Sequence, residues 1–166
     1  MSLNNINTNL KADRGFTIVE LLIVVVVIGI LAAITVVAFN GVTNRANAAS
    51  AQSAATSVAK KAEAYNAENG RYPVTSAELT SAATTSAANL PASTATFVTT
   101  AITAAPDPVN TVRFLKCSTT AVNPANQAAI TTSNITGVRI QYWKHDATPA
   151  AAQTVDAGVT QVCPTS

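Results

Sequence analysis

The chain is poor in the residues from which catalytic and metal centres are built. Its 166 residues include one histidine, His145, and two cysteines, Cys117 and Cys163. That inventory argues against His/Cys zinc sites and rests any histidine-dependent chemistry on a single side chain. Charge is sparse as well, with ten Lys and Arg against eight Asp and Glu, 11% of the chain in all. So thin a balance excludes a disordered polyelectrolyte tail and lacks the basic density of a dedicated duplex-DNA binder. Aromatics make up 5%, so a folded core must rest on Ala, Val, Ile and Leu. Proline is absent from Phe16 to Tyr72, which leaves a long stretch with nothing to break a helix.

What the chain does have is a concentrated apolar run. Residues 21–39 read LLIVVVVIGILAAITVVAF, and no charge occurs between Glu20 and Arg45. As a helix the run spans roughly 28 Å, close to the hydrocarbon thickness of a bilayer. It is too long for a strand. Lys11 and Arg14, partly offset by Asp13, precede it and favour the cytoplasmic side, with the bulk of the chain outside. An ordinary secretory signal cut near Ala32 and Ala33 is the rival reading. Against it, the apolar run continues past that point, and Glu20 lies within the segment. A carboxylate there asks for a partner, unless it merely reaches the headgroups from the helix end.

The residues Arg14-Gly15-Phe16-Thr17-Ile18-Val19-Glu20-Leu21-Leu22 resemble the class III signal of type IV pilins and pseudopilins. Gly29-Ile30-Leu31-Ala32-Ala33-Ile34 continues the likeness, and Asn69-Gly70-Arg71-Tyr72-Pro73 is a looser echo. The resemblance implies cleavage by a prepilin peptidase between Gly15 and Phe16, then methylation of the Phe16 amine. It implies that Glu20 neutralises that amine on a neighbouring subunit and sets the register of a helical filament. Many relatives carry proline where this chain has Val37, so Gly29 and Gly41 are the only weak points of the helix here.

Beyond the membrane run the helix continues. Ala51, Ala55, Val58, Ala62 and Tyr65 recur at helical spacing and form one apolar face, with Lys60, Lys61, Glu63 and Glu68 mainly off it. Asn69-Gly70 and Pro73 supply the stop. From Phe16 to Asn69 such a helix runs about 81 Å, so its first half is expected to protrude and its second half to back a head.

The head starts with an Ala/Ser/Thr-rich connection, residues 76–105, read as a short helix near Ser76 followed by surface loops. O-linked glycans there, and an N-linked one at Asn134-Ile135-Thr136, are weaker readings. Alternating residues 111–116, 138–144 and 158–163 read as strands, with a fourth piece at 153–155 and turns at 145–149 and 156–158. The expected class is α+β: a long protruding N-terminal helix whose C-terminal half packs on a small antiparallel sheet. The expected boundaries are a leader at 1–15, a membrane and filament-core helix at 16–39, its continuation at 40–70, and the head at 71–166. Cys117 and Cys163, an even pair on the exported side, are expected to form a disulfide. A similar C-terminal disulfide loop often bounds the exposed variable region of pilins.

His145-Asp146 lacks a nucleophile elbow, so no enzyme, cofactor or metal is expected. Tyr142, Trp143 and Lys144 with Arg113 and Arg139 form the one pattern suited to a nucleic-acid strand, which keeps DNA uptake among the readings. The main expectation is a pilin polymerising into a type IV pilus for adhesion, twitching motility or DNA uptake. Its partners would be its own copies, the peptidase, the inner-membrane assembly machinery and, before assembly, the cytoplasmic membrane. The alternatives are a pseudopilin of a type II secretion or competence system, and a signal-anchored or secreted surface binding protein that never polymerises.

Overall fold

The computed structural model describes residues 15–81, 83, 85–118, 127–148, 150–158 and 163. The expected leader, with Lys11, Asp13 and Arg14, lies outside the described residues except for Gly15. Helix α1 (Ile18–Asn69) matches the proline-free stretch. It ends where the sequence supplies a C-cap: Gly70 takes φ 70° and its N–H donates to the Asn66 carbonyl at 2.8 Å. The chain divides into two compact units, Met1–Asn40 and Gly41–Ser166.

In the first unit, every described residue is exposed, including the whole apolar run. Leu and Val side chains through this run sit about half exposed, the limit set by their own helix neighbours.

The second unit is built on the later part of α1. Ala51, Ala55, Val58 and Ala62 are fully buried, and Ala48, Ala54 and Ala59 nearly so. This is the face expected from the spacing. The core these residues share with the sheet holds Val112, Val138, Ile140, Tyr142, Leu79 and Leu90, with Tyr65, Tyr72, Phe97 and Phe114 packed at its margin. Small side chains on the helix let the sheet lie close, so the aromatic shortage is met by close approach rather than by bulk.

A short helix, α2 (Ser76–Thr80), buries Leu79, as expected near Ser76. Four strands follow: β1 (Thr96–Val98), β2 (Thr111–Ser118), β3 (Ile135–Lys144) and β4 (Ala151–Gly158), in the spatial order β1-β2-β3-β4. The β2–β3 and β3–β4 pairs are antiparallel, whereas β1 runs parallel to β2. The sheet is therefore mixed, not antiparallel throughout. Residues 99–110 connect β1 to β2, about the dozen residues that a parallel return needs. β1 itself was hidden in the Ala/Ser/Thr-rich connection, where three residues give no alternation to read.

A second correction concerns Asp156-Ala157-Gly158, expected as a turn and found as the end of β4. Asp156 faces Arg139 in the register and forms a bidentate pair with it, Nε–Oδ1 and Nη2–Oδ2 both at 2.8 Å. That cross-strand pair outweighs the local turn preference. The strand expected at 158–163 falls mostly on residues outside those described.

Candidate functional site

Residues 15–20 carry the candidate processing and assembly site. Gly15, Phe16 and Thr17 precede α1 in non-helical conformation, and Phe16 is 76% exposed. A Cβ placed on Gly15 would meet nothing within 4 Å, so nothing in this chain's own packing demands glycine there.

Glu20 lies in the first turn of α1 and is bound to Thr17 in both directions. The Thr17 N–H donates to Glu20 Oε2 at 2.8 Å, and the Thr17 hydroxyl donates to the same oxygen at 2.7 Å. In return the Glu20 N–H donates to Thr17 Oγ1 at 3.2 Å. This is a capping box, Thr-x-x-Glu, which satisfies helix-end donors that would otherwise lack partners. Thr17 was not among the expected site residues, although its spacing to Glu20 just ahead of an apolar run was the signal. Glu20 thus has a structural task within one chain, and Phe16 stands immediately before the cap.

The apolar part of α1 contains a segment long and apolar enough to cross a membrane. Composition explains its helix. Leu, Ile and Val cannot be hydrated along this length, and in lipid only a helix satisfies every backbone group.

In the head, Cys117 and Cys163 form a disulfide with their Cα atoms 4.4 Å apart. Cys117 is fully buried near the end of β2. Three charged residues of α1, Lys61, Glu63 and Glu68, bond to other parts of the head. Glu63 accepts from the Tyr72 hydroxyl and from the Gly158 N–H, both at 2.7 Å. Burial, followed by the hydrogen bond to Glu63 and its charge, pushes the Tyr72 phenol up to about 12. Lys61 donates to the Ala87 carbonyl at 2.7 Å, and Glu68 accepts from the Ser86 hydroxyl and the Ala87 N–H. Sequence reasoning missed all three, since their partners lie 9 to 95 positions away.

The nucleic-acid pattern does not assemble on one face. Tyr142 is buried in the core and Arg139 is engaged by Asp156, while Lys144 is exposed. Asn134 of the N-linked pattern is occupied in a turn: its Nδ2 donates to the Ala129 carbonyl and its Oδ1 accepts from the Thr131 N–H. Among the described residues, no cluster of three or more His, Cys, Asp or Glu could hold a metal ion.

Residues 10–36 match a family model described as the prokaryotic N-terminal methylation motif, and this span contains Gly15, Phe16, Thr17 and Glu20. The N-terminal segment is that of the type IV pilin and pseudopilin family. The type II secretion system core protein G of Klebsiella michiganensis is 31% identical over 65 residues, 39% of this chain and 46% of that protein. The proteins of the same name from Dickeya chrysanthemi and Pectobacterium carotovorum subsp. carotovorum are 32% identical over 65 residues and 34% over 63, covering 42% and 40% of their length. The chain thus spans less than half the length of these curated relatives. No solved structure matches. The pilin-like reading carries the α+β architecture with it: a long N-terminal helix followed by a small four-stranded sheet.

Proposed function

We propose that this chain is a pseudopilin-type filament subunit, held in the membrane by α1 and assembled into a filament that serves protein export. The observation that carries this reading is the methylation motif over residues 10–36, joined to relatives that are all core proteins of type II secretion systems. The subunit is made with its N-terminus in the cytoplasm and its head outside. A prepilin peptidase cuts between Gly15 and Phe16 and methylates the Phe16 amine. Neighbouring copies then bury the apolar half of α1, with Glu20 neutralising a Phe16 amine to set the axial register. A buried carboxylate requires such a cation, and cleavage creates one four residues away.

The second reading is a type IV pilus subunit displayed at the cell surface. The Cys117–Cys163 disulfide favours it, because such loops resemble those that bound the exposed region of pilins.

Mass spectrometry of the mature protein tests the shared core of both readings. N-methylated Phe16 is the expected start, and a start near Ile34 overturns both in favour of ordinary signal cleavage. Loss of the gene separates the two. The pseudopilin reading expects defective protein export with surface filaments unchanged, and the pilus reading expects the reverse.

A further inference from the structure

We propose that the heads of neighbouring copies join edge to edge, with β4 of one copy pairing in parallel with β1 of the next. β1 and β4 are the two end strands of the sheet, and among the described residues no strand lies beside the outer edge of either. β1 runs parallel to β2, and β2 and β4 both run antiparallel to β3, so the two edges point the same way. A second copy therefore continues the sheet head to tail, and the contact repeats without closing. Two β4 edges set against each other would instead form a two-fold dimer and stop. The inference rests on the filament reading for its supply of aligned copies.

Hydrogen-bond directions fix which backbone groups face outward. The Gly158 N–H leaves β3 and donates to Glu63 at 2.7 Å. By strand alternation the N–H and C=O of Ala152, Thr154 and Asp156 turn outward with it. On the other edge the Thr96 N–H donates toward β2, to the Asn110 carbonyl at 3.1 Å, so Phe97 turns its N–H and C=O outward. The β4 edge also carries none of the usual guards. It has eight residues with no proline, lysine or arginine, and its register with β3 is unbroken from Gly158 to Ala151. The carboxylate of Asp156, its one charge, is drawn to Arg139 at 2.8 Å. An edge this long and unguarded is a template for another strand.

Faces and occupied groups then select the register. Phe97 and Val155 both pack, partly buried, at the margin of the core. A joined sheet keeps one core face only if Phe97 stands opposite an odd-numbered residue of β4, on the face where Val155 lies beside Ile140. Opposite Ala157 it would need the Gly158 N–H, which Glu63 holds. Opposite Ala151 it would run off the start of β4. Opposite Gln153 it would meet an exposed polar side chain. Opposite Val155 it meets an apolar one, and each covers the other. In that register the Phe97 N–H donates to the Thr154 carbonyl, and the Asp156 N–H donates to the Phe97 carbonyl. Thr96 and Thr154, both exposed, then stand side by side on the other face, a favoured cross-strand pair.

The test uses the full chain carrying Thr96→Cys and Thr154→Cys, expressed in its native host with the assembly machinery present. Oxidation of intact envelopes with copper phenanthroline is expected to give a ladder of dimers, trimers and larger species that collapses on reduction. Peptide mapping should place the new bond between residues 96 and 154. Thr96→Cys with Gln153→Cys, one residue off and on the opposite face, should give roughly tenfold less. Dimers from Thr154→Cys alone would mean two-fold β4 pairing and overturn the proposal. Equal ladders from the two cysteine pairs, or no ladder, overturn it as well. The mature N-terminus from the same envelopes keeps the two readings apart. N-methylated Phe16 without a ladder sinks the edge pairing alone, and a start near Ile34 without one sinks both. Thr154→Pro is the second variant. It removes an outward N–H and no bond to β3, so the head should stay folded while sedimentable polymer falls roughly tenfold. Unchanged polymer from that folded variant also overturns the proposal.

Discussion

Glu20 joins two demands at one carboxylate. Within the chain it completes the Thr17 capping box, and in the proposed filament it meets the Phe16 amine. Glutamine separates these tasks, because it serves equally well at the third position of a capping box but carries no charge. Glu20→Gln should therefore leave the helix and membrane insertion intact while abolishing filaments, the same loss of filaments expected of Glu20→Ala. Filament yield by electron microscopy, beside the helical content of the purified subunit, checks this. Normal filaments from Glu20→Gln would reduce Glu20 to its capping role. Two glycines give a second contrast at this scale. Gly70 and Gly158 both have positive φ, 70° and 82°. A Cβ at Gly70 meets open space, whereas at Gly158 it would lie 2.5 Å from Tyr72 Cζ and 2.6 Å from the Thr136 carbonyl oxygen. Gly70→Ala should cost about 1 kcal/mol, the conformational penalty alone. Gly158→Ala adds a clash against backbone and should cost about 3 kcal/mol or more in thermal or denaturant unfolding. Similar losses for the two would mean that Tyr72 and the Thr136 carbonyl both give way without cost.

Helix α1 is one element with two surfaces of different origin. Its first part needs only apolar residues and the absence of breakers, and is exposed throughout. Its later part needs the Ala and Val face that meets the sheet, and the three charged residues that reach the loops. The Glu63–Tyr72 contact joins α1 to the segment after it and, through Gly158, to the end of β4. It carries a pH signature. Tyr72 titrates near 10 in the unfolded chain and at about 12 in the fold, so the native state holds its proton where the unfolded state has lost it. Stability from this group is complete below pH 10 and falls as pH rises toward 12. Tyr72→Phe should flatten part of that alkaline decline in denaturant titrations at successive pH values. Tyr142, also raised by burial, supplies a further part. A decline unchanged by Tyr72→Phe would remove Tyr72 from this role.

For the molecule as a whole, the disulfide is a covalent constraint on the head. It joins residues 46 positions apart, and a loop of that size removes about 4 kcal/mol of unfolded-chain entropy. Cys163→Ser should lower the unfolding free energy of the head by roughly 3–4 kcal/mol, with little effect on α1 helicity. A loss below about 1 kcal/mol in non-reducing denaturant titration would show that the sheet and helix hold residues 117–163 without it. The segment apolar enough to cross a membrane and the head answer to different physics, composition and length in one and packing in the other.

The sequence alone determined the elements whose causes are local or periodic. The apolar run, the proline-free helix with its Asn69-Gly70 stop, the Ala51–Tyr65 face and the cores of β2 and β3 all follow from spacing, propensity and capping, which act over a few residues. The methylation motif over residues 10–36 was legible because it is contiguous, and the Thr17–Glu20 capping box was legible by its spacing. Only the tertiary structure decided the parallel placement of β1, the strand at Asp156-Ala157-Gly158, and the anchoring by Lys61, Glu63 and Glu68. Each of these depends on which distant residue arrives as a neighbour. A local pattern carries no record of that, because the choice is made when the whole sheet closes over the helix.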